Sequence, residues 1–225
     1  ATYLKQVIAE ARFVRAYSYF YLTGFFGDVP LITKSVSLSD ATMPRTPKKE
    51  IFDWIIKEMD ESAPGLPLFY EGHSGSATNV AAYFLKAYTA LCDSRWTVAA
   101  DAAKKAMDLG HYKLHANYGE LFTYAGEKSL ERIFSMQYLR GVNTHIIFRQ
   151  FGSRLAAGVS NEVPTQAMVD SYECTDGLTI DKSPLFNPQK PYANRDPRLN
   201  MTIAVPGTVY MGFQFETHPD SLRVW

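Results

Sequence analysis

The 225-residue chain is 46% hydrophobic and balances 23 lysines and arginines against 23 aspartates and glutamates. That length can bury a sizeable core and suits one large domain or part of one, while a neutral balance with no long basic run removes the electrostatic footprint of a nucleic-acid binder. No run reaches the roughly eighteen apolar residues of a membrane span, and Cys92 with Cys174 allows one disulfide at most and no zinc-type set, two buried free thiols being the simpler reading.

The first predicted helix begins near Tyr3. Leu4, Val7, Ala11, Val14, Ser18, Tyr21 and Phe25 recur every third or fourth position, which draws an apolar or small stripe along one face and predicts that this face meets a helical core. From Phe13 onward the aromatics spread through Tyr17 and Phe20 to a second face, so neighbours are expected on more than one side. Charge remains mainly on Lys5, Arg12 and Arg15. The helix should stop where Gly24 or Gly27 takes a left-handed conformation, ahead of Pro30. Ala1-Thr2-Tyr3-Leu4 is already in helical rhythm and holds no charged n-region, apolar h-region or lipobox cysteine, so any export signal is expected outside this chain.

A second helix is predicted from Thr46 as N-cap and Pro47 in the first turn, with Ile51, Ile55 and Met59 inward, Lys48, Lys49, Glu58 and Asp60 outward, and a stop at Pro64-Gly65. A polar loop over Glu71–Ser76 precedes a third helix, capped by Thr78 or Asn79 and running from Val80 to about Cys92. After a turn at Asp93-Ser94-Arg95, a fourth helix runs from Trp96 to Leu109 and ends at Gly110. Alanines at 81, 82, 87 and 90 can meet those at 99, 102, 103 and 106, so the two form a close helical hairpin of about the 34-residue length of a tetratricopeptide unit. The first two helices make a second such unit with a long connection from Leu31 to Arg45. Trp54 and Trp96 fall at helical positions and are expected in the core.

Beyond a short helix at Tyr118–Phe122, Ile133–Tyr138 reads as a strand, and from Gly141 to Trp225 glycine, proline and asparagine predict loops with one helix from Thr165 to Ser171. The fold class is therefore mostly α, with tetratricopeptide-like helical pairs and a loop-rich region holding a few short strands. Residues 1–125 form the scaffold and 126–225 the loop-rich part of the same domain.

Catalytic constellations are weak. His111 and His115 stand four apart, a zinc-ligand spacing, but Gly110 has ended the helix and no glutamate follows His111, so no metal site is expected. Gly72-His73-Ser74-Gly75 lacks the spacing and preceding strand of a nucleophile elbow and reads as a loop. Asp170, Glu173, Asp176 and Asp181 could supply paired carboxylates for glycoside hydrolysis, but Asp176-Gly177 reads better as a turn. Glu10, among Tyr3, Phe13, Val14, Tyr17 and Tyr21 on a helical wheel, needs an arginine or tyrosine partner from elsewhere, and Arg12 faces another way. Arg195-Asp196-Pro197-Arg198 is either a ligand-binding cluster or a loop knot, and the knot is favoured. No phosphate loop or dinucleotide fingerprint occurs, so no cofactor is expected.

The order of short motifs points further than any of them alone. Glu10-Ala11-Arg12-Phe13-Val14-Arg15-Ala16-Tyr17 closed by Phe26-Gly27-Asp28-Val29-Pro30-Leu31 resembles the SusD/RagB family, and later segments follow in the family's order: Thr46-Pro47, Ala81-Ala82-Tyr83, Gly110-His111-Tyr112-Lys113-Leu114, Glu131-Arg132-Ile133-Phe134, Asp176-Gly177 and Arg195-Asp196-Pro197-Arg198. The resemblance implies a helix-pair scaffold and a non-catalytic surface lipoprotein that captures glycan for a SusC-like, TonB-dependent outer-membrane transporter, anchored by lipid through a region not present in this chain. The motifs occupy the middle of the family's pattern, so the chain is expected to be a middle fragment.

Sugar recognition needs flat rings against the apolar faces of pyranoses and nearby amides or arginines for the hydroxyls. In the loop-rich half these are Tyr192 with Asn194, Tyr210, Phe213 and Trp225, each of which could instead be buried. The competing functional readings are a tetratricopeptide-type module that binds protein segments in a groove and a helical-barrel glycosidase.

Overall fold

The protein is described by a computed structural model over residues 2–37, 42–71, 75–139, 141–152, 157–210 and 212–215. Two compact units emerge, Ala1–Ala116 with Gly126–Gln137, and Asn117–Ala125 with Tyr138–Trp225. The first is built on four helices: α1 (Thr2–Phe26), α2 (Lys48–Ser62), α3 (Asn79–Cys92) and α4 (Trp96–Asp108). Consecutive helices pack on one another, so the pairs expected from the sequence form the architecture.

α1 buries a different face from the one its stripe predicts. Ala9, Phe13, Ala16, Tyr19 and Thr23 are buried, whereas Leu4, Val7, Ala11, Val14, Ser18, Tyr21 and Phe25 are exposed. The reason is that α2 offers its own large apolar side chains, Ile51, Phe52, Ile55 and Met59, each at most 2% exposed, and these pack with Phe13 and Tyr19 rather than with the stripe residues. Each such side chain contributes roughly 1.5–3 kcal/mol on burial. The helix ends at Gly27, which takes φ +69° and returns its N–H to the Thr23 carbonyl at 3.1 Å.

The chain then folds back on α1. The Tyr19 hydroxyl donates to the Pro30 carbonyl at 3.1 Å and accepts the Ile32 N–H at 2.7 Å, and Val29 pairs with Thr46 in an isolated antiparallel bridge. α2 begins after Pro47, not with Thr46 as its cap: the Thr46 hydroxyl takes the Leu31 N–H at 3.4 Å, and the N–H of Lys48 goes to the Asp28 carboxylate. Glu58, expected outward, is 7% exposed because Arg15 reaches it at 2.6 Å while lying over the Trp54 ring. Trp54 packs against the core as expected, and Trp96 does not; it is exposed at the first turn of α4.

Thr78 caps α3 by accepting the Ala81 N–H at 3.1 Å. Ala81, Ala82, Ala90, Ala99 and Ala102 are buried, so small side chains do line the α3–α4 hairpin, though Ala103 is exposed. Its turn is held by Arg95, which binds Asp53 of α2 and Asp93 at 2.5 and 2.6 Å. Gly110, at φ +70°, ends α4. The segment expected as a strand at Ile133–Tyr138 forms no ladder, because Ile133 and Phe134 pack onto the helical core instead of pairing with a neighbouring strand. Cys92 is exposed and Cys174 buried, and both are free thiols.

In the second unit, short helices α5 (Tyr118–Leu121), α6 (Ile147–Phe151), α7 (Gln166–Asp170) and α8 (Arg198–Thr202) are joined by turns and followed by a hairpin of β1 (Val209–Tyr210) and β2 (Phe213–Gln214). Asn117 and Thr165 cap α5 and α7. Val169, Leu199 and Val205 form a small core with Tyr172, Tyr192 and Ile203 against it. So few apolar groups hold this unit that polar anchors carry much of its order. No helix among the described residues is long and apolar enough to cross a membrane.

Candidate functional site

Two kinds of aromatic surface stand out, one in each unit. In the first, Phe13, Tyr17, Phe20 and Tyr21 of α1, Phe84 and Tyr88 of α3, and Phe134 line a cleft of about 420 Å³. Phe134 meets Phe13 edge-on at 5.1 Å, Tyr88 lies 5.3 Å from Phe20, and Phe84 stacks on Tyr88 at 6.0 Å. The polar groups around this cleft are already engaged. The Tyr17 hydroxyl donates to that of Tyr21 at 3.2 Å, and burial, followed by that bond, pushes the Tyr17 phenol up to about 12. Arg132 donates to Ser135 at 2.9 Å and to the Glu127 carbonyl, and Glu131 accepts the His115 N–H at 2.7 Å. A pocket whose rings are accessible but whose hydrogen-bonding groups are occupied suits apolar packing better than recognition of sugar hydroxyls.

The second unit presents rings on turns. Leu139 and Asn143 form an antiparallel bridge around Gly141, at φ +82°, which sets the Tyr138 ring edge-on to His145 at 5.2 Å. α6 follows with Phe148 and Phe151 exposed. Its far end is clamped by the returning chain: Val159 and Ser160 donate to the carbonyls of Arg149 and Gly152 at 2.8 and 3.1 Å, and Asn161 donates to the Gln150 side chain at 3.0 Å. Exposed rings thus lie beside the carboxamides of Gln150 and of Asn161 on the returning chain, and each carboxamide has more hydrogen-bonding positions than the one bond between them uses, a combination suited to pyranose recognition. The sequence reading missed this segment. Its signal was the short cluster Ile146-Ile147-Phe148 with Phe151 inside an otherwise turn-rich region.

The residues singled out from the sequence separate. Tyr210 and Phe213 are brought together as cross-strand partners of the hairpin, with Phe213 47% exposed. Tyr192 packs on the core of the second unit, while Asn194, at φ +56°, turns its amide to the Leu185 carbonyl at 3.1 Å. Trp225 lies outside the described residues.

The remaining constellations resolve as structure. Arg195, 6% exposed, donates to the carbonyls of Pro191, Val169 and Tyr172 at 2.9, 2.7 and 2.8 Å, so the loop knot is what forms, with Arg198 paired to Asp196. Asp176 and Gly177 make the expected turn, Gly177 at φ +76° and the Asp176 carboxylate accepting from Leu178 and Ser183. Glu10 finds a tyrosine, Tyr70, on the segment after α2, with Gln6 donating to the same oxygen at 3.0 Å. His111 stacks on Phe69 at 4.6 Å. Among the described residues no group of three His, Cys, Asp or Glu could hold a metal ion, and Gly72-His73-Ser74 lies outside them.

Comparison with known proteins gives this architecture a family. Residues 1–90 match a SusD-like family model described as starch-binding associating with outer membrane. A SusD-like protein of Bacteroides ovatus is 27% identical over 193 residues, 77% of this chain and 35% of its own. A solved SusD-like carbohydrate binding protein from Bacteroides fragilis superposes with a TM-score of 0.88 at 32% identity, over 97% of this chain and 44% of its own, and a laminarin binding SusD-like protein with 0.56 at 25% identity, over 60% and 31%. The chain therefore spans less than half the length of these relatives. With the motif order, the helix pairs and these likenesses in agreement, the chain belongs to the SusD-like family.

Proposed function

We propose that this protein binds oligosaccharide or polysaccharide at the outer-membrane surface without cleaving it, and delivers it to a SusC-like, TonB-dependent transporter, held at the membrane by a lipid anchor outside these residues. One observation carries the reading: a carbohydrate binding relative of the same family matches 97% of this chain at a TM-score of 0.88. The exposed rings of the second unit agree with it in chemistry, since a ring face can cover the apolar face of a pyranose while adjacent amides meet the hydroxyls. Glycan contact is assigned to Tyr138 and Phe148 on the loop and to Tyr210 and Phe213 on the hairpin, with Trp225 kept from the sequence reading. Tyr192 and Asn194 are given the role of holding that region in shape.

Affinity electrophoresis against a panel of soluble polysaccharides, paired with chromatography of the same mixtures, tests the reading. Retardation by at least one glycan with no shortened product is expected. Release of product, or indifference to every glycan together with tight peptide binding, would overturn it.

A further inference from the structure

The exposed rings of the second unit stand in a stretch of chain without a carboxylate. From Tyr138 to Asn161 the sequence holds three arginines and a histidine and neither Asp nor Glu, in a chain whose 23 acidic side chains otherwise match its 23 basic ones. Leu199 to Phe215, which includes the hairpin, has no charged residue of either sign. Three of the carboxylates between these stretches are engaged locally: Asp170 accepts from Gln166, Asp176 from Ser183, and Asp196 pairs with Arg198.

Within the ring-bearing loop, His145 and Arg149 are exposed, and His145 meets the Tyr138 ring edge-on. Arg149 stands between Phe148 and Gln150 on a backbone that is held on both sides. Its carbonyl accepts the Val159 N–H at 2.8 Å, and the Ile146 carbonyl accepts that of Gln150 at 3.1 Å. Its guanidinium forms no ion pair among the described residues, not even with Glu162, whose N–H approaches the Gln150 carbonyl at 3.5 Å. Asn161 donates to the Gln150 side chain, which occupies an acceptor position there and leaves the Gln150 amide N–H groups unpaired among the described residues. The loop is therefore rich in donors and poor in acceptors. A sugar hydroxyl both gives and takes a hydrogen bond, whereas a guanidinium only gives. A donor-rich set matches ligand groups that only accept, and the planar fork of arginine meets a carboxylate or a sulfate with two parallel bonds. A lone exposed arginine is ordinarily solvated surface; its place beside the rings, in 24 residues free of acid, sets this one apart.

We propose that the glycan taken by this loop is acidic, bearing uronate carboxylates or sulfate esters, and that Arg149 binds the acidic group with His145 as a second donor. The inference rests on the glycan-binding reading and names the class of its ligand. Affinity electrophoresis and titration calorimetry of the 225-residue chain test it, with polygalacturonate, alginate, chondroitin sulfate and dextran sulfate each set beside its carboxyl-reduced or desulfated form. At least one acidic polymer should bind, its neutral form about tenfold or more weaker, and affinity should fall as sodium chloride is raised. Arg149→Gln should weaken binding of the acidic polymer about tenfold or more, and Arg149→Lys, which keeps the charge and loses the fork, should weaken it less. Retention by uronates alone identifies the group as carboxylate, and retention by the sulfated polymers alone identifies it as sulfate. Binding of neutral polymers only, equal affinity for a polymer and its neutral form, or an acidic polymer held as tightly by Arg149→Gln as by the parent would overturn the inference and leave glycan binding standing. Indifference to every polymer, acidic and neutral, would overturn both.

Discussion

The carboxylate of Asp28, in the turn that ends α1, accepts a hydrogen bond at 2.8 Å from the N–H of Lys48, the first residue of α2. Pro47 has no side-chain acceptor and Thr46 is engaged with Leu31, so a residue twenty positions earlier caps the helix. This explains why a Gly-Asp-Val-Pro turn follows α1: Gly27 reverses the chain, Asp28 starts the next helix, and Val29 pairs with Thr46 to hold the two ends together. Asp28→Ala should cost about 1 kcal/mol, with Asp28→Asn costing less. Urea unfolding followed by circular dichroism reads both, and an unchanged midpoint for Asp28→Ala would remove the cap from the account.

The helices were legible because their signals are local. Thr78 three residues before Ala81, Gly110 after α4 and Ile51, Ile55 and Met59 at helical spacing all did what their chemistry requires. Partner choice was not local. The stripe on α1 and the inward rings Phe13 and Tyr19 are both apolar, and only the presence of α2 decides which is buried. Glu58 misled for the same reason: its burial depends on Arg15, forty-three positions away.

Glu10 and Tyr70 give a pH-dependent link between α1 and the segment after α2. Burial first, then the hydrogen bond to Glu10, pushes the Tyr70 phenol from 10.0 to about 12. A pKa raised in the folded state means that the stabilisation is fully present below the unfolded value near 10 and is lost as pH rises through about 12. Tyr70→Phe should therefore be less stable than the parent at neutral pH, and the gap should close across that alkaline window. Thermal midpoints of the two proteins over a pH series measure it; a gap that stays constant to the top of the series would exclude the linkage.

Arg195 should matter more to stability than to ligand. Its guanidinium gathers carbonyls from Val169, Tyr172 and Pro191 in a unit whose apolar core has three fully packed residues. Arg195→Met leaves those carbonyls without donors and should cost about 3 kcal/mol, with Arg195→Lys intermediate because a single ammonium cannot span the same fork. Limited proteolysis should then cut the second unit while the helical unit persists. Resistance equal to the parent's would show that the knot is dispensable.

Less of the candidate site than of the fold could be read from sequence. Tyr210 and Phe213 stood out because rings among turn residues are conspicuous, and the structure pairs them across a hairpin, whereas Asn194 was chosen for its amide although its φ of +56° and its bond to Leu185 commit it to the turn. Tyr138 and Phe148 were passed over because their exposure depends on how Gly141 and the returning chain at Val159 shape the loop, which no short-range pattern encodes.

That shape makes the sharpest test of the ligand surface. A Cβ on Gly158 would stand 2.0 Å from the Gly152 carbonyl oxygen, with backbone rather than a movable side chain in its way, so Gly158→Ala must part the two strands of the loop. Tyr138→Ala, Phe148→Ala and Phe213→Ala each remove one ring and should each weaken glycan binding about tenfold, or about 1.5 kcal/mol. Gly158→Ala touches no ring, yet it displaces the clamp that holds α6, and it should weaken binding at least as much as Phe148→Ala while leaving Phe213→Ala to act additively. Isothermal titration with the glycan selected by electrophoresis reads all four, beside a thermal melt to confirm that the helical unit is intact. Full affinity in Gly158→Ala with a loss in Phe213→Ala would move the site from the loop to the hairpin alone.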